Sequence, residues 1–179
     1  MIGDYKYERG EMTDDHLLLK VERGWRTPNG ETKCGTGSMK QNARQIINHL
    51  LNIIETYDIK SISDAGAGDL NWIQSIDWNI DYQGYDLYPR HKDVIKCDVT
   101  KKILRKSDLI LCRHVLNHLS IDYVENAIYN FQQSGSKYLL ITNCNNQERY
   151  WSENNFDLNL ELLETRKDCQ HWILQLYKL

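Results

Sequence analysis

Ser63 to Trp72 reads SDAGAGDLNW, a glycine-rich turn with acids at both ends, set directly after a strand-like run. Glycines permit a tight turn there and let backbone amides approach a ligand closely. The turn has G-x-G but no third glycine, because Asn71 fills that position, and it lacks the Lys-Ser/Thr of a phosphate loop. Two acids without a base suit a pyrophosphate poorly, which argues against NAD and ATP. They suit a neutral or cationic nucleoside better, and a sulfonium best. Asp86, in GYDLY, stands roughly twenty residues beyond the glycines, where an acid can hydrogen-bond a ribose diol. Asp98, in CDV, offers an acceptor to an adenine amino group. Farther on, CRHVLNHL presents Arg113, His114, Asn117 and His118 to the reacting end of whatever is bound. On a helix the two histidines, four apart, share a face. Either is a candidate general base by its ordinary pKa, and Asn117 is a candidate to orient an acceptor. As a metal pair they have only Asp122 close in sequence, so no metal site is expected.

Strands must deliver these residues. Strand-like runs occupy 60–66, 82–88, 93–99, 107–113 and 137–144. Helical patterns fill the gaps after Gly68 and from about Ile121 to Gln132. Before them, Ala43, Ile46, Ile47, Leu50, Leu51, Ile54 and Tyr57 recur at helical spacing, which predicts a helix over roughly 39–57. Ser38-x-x-Gln41 reads as its capping box. Near the end, NLELLETRK and HWILQLYKL are separated only by DCQ, too little for a crossover helix, so they pair as an antiparallel hairpin. The fold class is therefore α/β: a doubly wound, mostly parallel seven-stranded sheet with a C-terminal antiparallel β-hairpin. In such sheets ligands bind beyond the carboxyl ends of the strands, where the acids fall.

The 179 residues suit one domain, with 1–40 as an N-terminal lid and 41–179 as a Rossmann-like core. A net charge of −3 gives no electrostatic pull towards nucleic acid in general. No apolar run approaches a membrane span, and MIGDYKYERGEM is too polar for a signal peptide. The five cysteines are scattered without a CxxC pair, as expected of reduced thiols in a cytoplasmic protein.

The series SDAGAGD, GYDLY, KCDV and SDLILCRHVLNHL resembles motifs one to four of class I S-adenosylmethionine-dependent methyltransferases, and the terminal hairpin resembles that fold's last two strands. Within that family the chain is similar to a small bacterial and phage group with unassigned acceptors, which more often carries an acid where this chain has His114. The resemblance implies that Asp64, Ala65 and the Gly66–Gly68 backbone hold the methionine portion of S-adenosyl-L-methionine. It implies that Asp86 and Leu87 take the ribose, and that Asp98 and Val99 take the adenine. Arg113 would pair with the cofactor carboxylate or order the pocket, and the Gly35–Ser38 turn would close over the methionine end. The expected reaction is methyl transfer by in-line displacement, catalysed around His114, Asn117 and His118. RHVLNHL contains neither D/N-P-P-Y/F/W nor Pro-Cys, so DNA is disfavoured; a small-molecule acceptor is expected, with a peptide or RNA acceptor open. Two rival readings keep the fold: a non-catalytic binding or interaction module, and an enzyme that cleaves S-adenosylmethionine.

Overall fold

The computed structural model describes residues 22–25, 27–144, 158–168 and 172–179. The first part of the expected lid, residues 1–21, and residues 145–157 between the fifth and sixth strands lie outside the described residues. Helix α1 spans Lys40–Thr56, and strands β1 to β4 span Ser61–Ala65, Asp81–Asp86, Val94–Lys96 and Leu109–Cys112. Helix α2 (Ile121–Gln133) leads to β5 (Tyr138–Cys144), β6 (Glu161–Lys167) and β7 (Trp172–Lys178). They form one seven-stranded sheet in the order β3-β2-β1-β4-β5-β7-β6. β1 to β5 pair in parallel, whereas β7 is antiparallel to both β5 and β6. The predicted hairpin is thus present, with its second strand inside the sheet and its first at the edge.

Side-chain alternation divides the core into two layers. Leu109 and Leu111 of β4 pack with Ala43, Ile46, Leu50 and Ile53 of α1. Ile110 and Cys112 face the other way, onto Val124, Ala127, Ile128 and Phe131 of α2. A strand buried on both faces reads as a continuous apolar run, and LILC is one. Phe131 is wholly buried in the α2 layer. Phe131→Ala is expected to cost about 3–5 kcal/mol, measured as a lower urea midpoint.

Two local expectations are corrected. The segment after Gly68 forms no full helix, only a single 3-10 turn at Ile73–Ser75. Leu70 takes a left-handed φ of 58°, and the Asp69 carboxylate accepts from the Asn71 amide, a local bond that competes with helix formation. The capping box is also absent. Met39 is the N-cap of α1, with no side-chain cap, and the Ser38 hydroxyl donates to the Cys34 carbonyl instead. The Lys40 amide is met by Glu31 at 2.8 Å, which a sequence window around the helix start does not contain.

Candidate functional site

At the carboxyl ends of β1 to β4 lies a cavity of about 360 Å³. Its lining brings together residues that are far apart in the chain. Gly35 and Ser38 come from the N-terminal segment, and Gly66 and Gly68 from the turn after β1. Asp86 and Leu87 come from the end of β2, and Asp98 and Val99 from beyond β3. Arg113, His114, Asn117 and His118 follow β4. Thus twelve of the fourteen residues expected at the site share one cavity wall.

Asp64 and Ala65 do not line it. Asp64 shares a face of β1 with Ile62, towards the α1 layer, and its carboxylate accepts from the Tyr82 hydroxyl at 2.6 Å. Burial pushes the Asp64 carboxyl up to about 7. It lies beneath the glycine turn and does not face the cavity. Ala65 points into the α2 layer.

Asp86 supports the turn directly. One oxygen accepts from the Gly68 amide at 2.9 Å and the other from the Tyr88 amide at 2.8 Å. Each oxygen keeps further lone-pair capacity, and a carboxylate so placed can take two hydroxyls of a diol. The glycines make room for protein. A Cβ on Gly68 would stand 2.5 Å from the Cys34 sulfur, and one on Gly66 would collide with Val115. The turn is therefore the surface onto which the N-terminal segment and the loop after β4 close. Asp69 reinforces this closure, accepting from the Thr32 hydroxyl at 2.7 Å and the Lys33 amide at 3.2 Å. Burial, then the Asp69 carboxylate, pushes the Cys34 thiol up to about 11, so it is no thiolate nucleophile.

Asp98 is more heavily engaged. Its Oδ1 accepts from both the amide and the hydroxyl of Thr100, and its Oδ2 lies 3.0 Å from Lys101 Nζ. Burial works to raise this carboxyl, but the Thr100 hydroxyl, then Lys101, hold it below its usual range.

Beyond β4 the structure corrects the helical premise. His114 takes a left-handed φ of 55°, and Leu116–His118 is a 3-10 turn, so the two histidines share no helix face. They reach the cavity separately. His114 packs edge-on against Trp172 at 4.8 Å, with Nε2 at 3.5 Å from Asp168 Oδ2. His118 stacks with Trp25 at 5.6 Å. Burial pushes the His118 imidazole down to about 4, so it is neutral at pH 7. Between pH 6.5 and about 4 the unfolded chain takes a proton that native His118 refuses. Stability therefore falls as the pH drops through that window, by about 3 kcal/mol in all. Asp64 has the opposite sign: its contribution, full below 3.8, is lost as pH rises towards about 7. Comparing urea midpoints of wild type and His118→Phe across pH 4 to 6.5 isolates the histidine, and the variant should show the flatter loss on the acid side.

Sequence reasoning missed Asp168, which sits at the hairpin end of β6 and is 2% exposed. It receives Arg113 Nε at 3.0 Å and Nη2 at 3.2 Å in a two-pronged pair. Arg113 Nη1 donates to the Gly37 carbonyl at 2.8 Å, and its guanidinium lies 5.5 Å over the Trp72 ring. Of the two roles implied for Arg113, ordering the pocket has visible partners. Trp172 was equally invisible, being one apolar residue of a strand. Among the described residues, no group of three His, Cys, Asp or Glu is placed to hold a metal ion, and no helix is long and apolar enough to cross a membrane.

No protein-family model matches the sequence, and no curated protein matches it significantly. Solved structures do match. The N-methyltransferase NodS from Bradyrhizobium japonicum WM9 has a TM-score of 0.59 at 13% identity, over 77% of this chain and 96% of that one. Magnesium protoporphyrin IX methyltransferase from Synechocystis PCC 6803, with bound SAM, has a TM-score of 0.60 at 11% identity, over 94% and 98%. The 1,6-didemethyltoxoflavin-N1-methyltransferase from Burkholderia thailandensis, with S-adenosylhomocysteine, has a TM-score of 0.60 at 11% identity, over 77% and 79%.

Proposed function

We propose, from a chain with the class I methyltransferase fold, that the protein is an S-adenosylmethionine-dependent methyltransferase. The observation that carries the reading is Asp86, joined to the Gly68 amide at the wall of the same cavity that holds His114 and Asn117. The residues read as donor-holding and those read as acceptor-facing line one enclosure. The Gly35–Ser38 turn lines it too, in keeping with closure over the methionine end. When bound, S-adenosylmethionine supplies a methyl group on a sulfonium centre. The chain's own contribution is alignment and exclusion of water, since in-line displacement gains chiefly from reactants held close and collinear.

Where the acceptor must lose a proton, His114 is the better base. His118 is held too acidic to collect a proton efficiently near pH 7, while His114 has the Asp168 carboxylate 3.5 Å from its Nε2 as an orienting partner. Trp25 and the segment 33–38 help wall the cavity, which favours a small molecule over a nucleic-acid duplex.

S-adenosylhomocysteine should form only when an acceptor from a panel of small amines, phenols and heterocycles is supplied. Its absence throughout, with the cofactor still bound, would favour a binding module; loss of S-adenosylmethionine to other products without acceptor would favour cleavage. His114→Gln is expected to lower turnover at least tenfold for an acceptor that must be deprotonated, with S-adenosylhomocysteine affinity held within about twofold.

A further inference from the structure

Asn117 lines the cavity, and both its amide nitrogen and its amide oxygen are buried without a hydrogen-bond partner. Withdrawing an amide from water and leaving it unmatched is destabilising. Yet Leu116 and Leu119 stand beside it in sequence, so an apolar residue would suit the segment at least as well. In this position the two atoms are closed off from the cavity as well as from protein partners; a turn of the side chain about its own bonds would bring the amide edge to the cavity that Asn117 lines, where a ligand can satisfy it.

The two orphaned atoms restrict what that ligand can be. One side of a primary amide offers a donor and an acceptor side by side. A carboxylate or phosphate brings acceptors only and leaves the oxygen unmatched. An ammonium brings donors only and leaves the nitrogen unmatched. A trans peptide bond directs its N–H and C=O in opposite directions, so it cannot answer both atoms at once. An amino-heterocycle or lactam edge can, as asparagine does on adenine. Val115 and Leu119 line the same cavity and bring no charge. Asp98, the residue expected to read adenine, already has one oxygen filled by the two Thr100 bonds and the other paired with Lys101. Trp25 and His118 stack on each other, which takes one face of each ring out of contact with a ligand.

We propose that Asn117 is the two-point reader of a nucleobase-type edge bound in this cavity. The inference deepens the cofactor reading and rests on it. The edge has two sources, the adenine of the cofactor or a ring of the acceptor, and the test separates them.

Wild type and Asn117→Leu are compared in three measurements: melting without ligand, calorimetry with S-adenosylhomocysteine, and saturation-transfer NMR with free adenine on protein already saturated with S-adenosylhomocysteine. The variant should melt no lower than wild type, because it removes an unmatched amide. A fall of about tenfold or more in S-adenosylhomocysteine affinity assigns the edge to the cofactor. Unchanged affinity, with an adenine signal present in wild type and lost in the variant, assigns it to the acceptor. Equal S-adenosylhomocysteine binding with no Asn117-dependent adenine signal overturns the proposal and leaves the cofactor reading intact. A lower melting temperature with both ligands bound as in wild type also overturns it, since Asn117 would then be structural. Wild type that takes no S-adenosylhomocysteine, but takes adenine through Asn117, refutes the cofactor reading alone; wild type that takes neither refutes both. Asn117→Ala gives the same readouts if the leucine variant fails to fold.

Discussion

Asp168→Ala is expected to destabilise the fold by about 3–5 kcal/mol, a large part of the stability of a domain this size. The Arg113 and Asp168 side chains are 4% and 0% exposed, so alanine would take the two-pronged carboxylate counter-ion from a guanidinium that stays buried. The loss should appear as a lower urea midpoint. Replacing both partners, as Arg113→Met with Asp168→Leu, should recover much of it, because the cost lies in the unmatched charge. The double variant would still lack the bond from Arg113 to Gly37, so S-adenosylhomocysteine affinity should not recover with stability. An alanine variant as stable as wild type would show that the pair does not hold the hairpin to the cavity.

Asp86→Ala is expected to weaken S-adenosylhomocysteine binding about a hundredfold or more. Two charge-assisted hydrogen bonds to a ribose diol, at about 1.5–3 kcal/mol each, reach at least that factor. The Gly68 and Tyr88 amides lose their acceptor as well, so the turn itself should loosen. Asp86→Asn keeps an acceptor oxygen at the same place and should lie between alanine and wild type in calorimetry. Equal affinity in all three proteins would remove Asp86 from the ligand and take the cofactor assignment with it.

The sequence made the architecture readable where local pattern and tertiary packing agree. LILC is apolar throughout because both sheet faces are covered at β4. The 3.6-residue rhythm of α1 survives because one face of that helix meets one layer. Failures came where a distant partner decides. Glu31 caps α1 from nine residues away, so Ser38 is released from a role its neighbours suggested. Asp168 meets Arg113 across 55 residues, and a lone acid between two strands reads as a turn residue. For Asp64, strand alternation outweighed motif position: the side chain follows Ile62 into the α1 layer. The lining of the candidate cavity was largely legible because strand ends are its vertices. Its N-terminal wall and its hairpin anchor were less so.

The strand order also sets a hazard during synthesis. β6 reaches the sheet only through β7, so a nascent chain interrupted between them leaves the hydrogen-bonding edge of β5, YLLITNC, bare. An apolar, unguarded edge invites pairing with another chain. The edge of β5 is therefore covered in one late step, when residues 172–178 pair between β5 and β6 and move the sheet's edge out to β6.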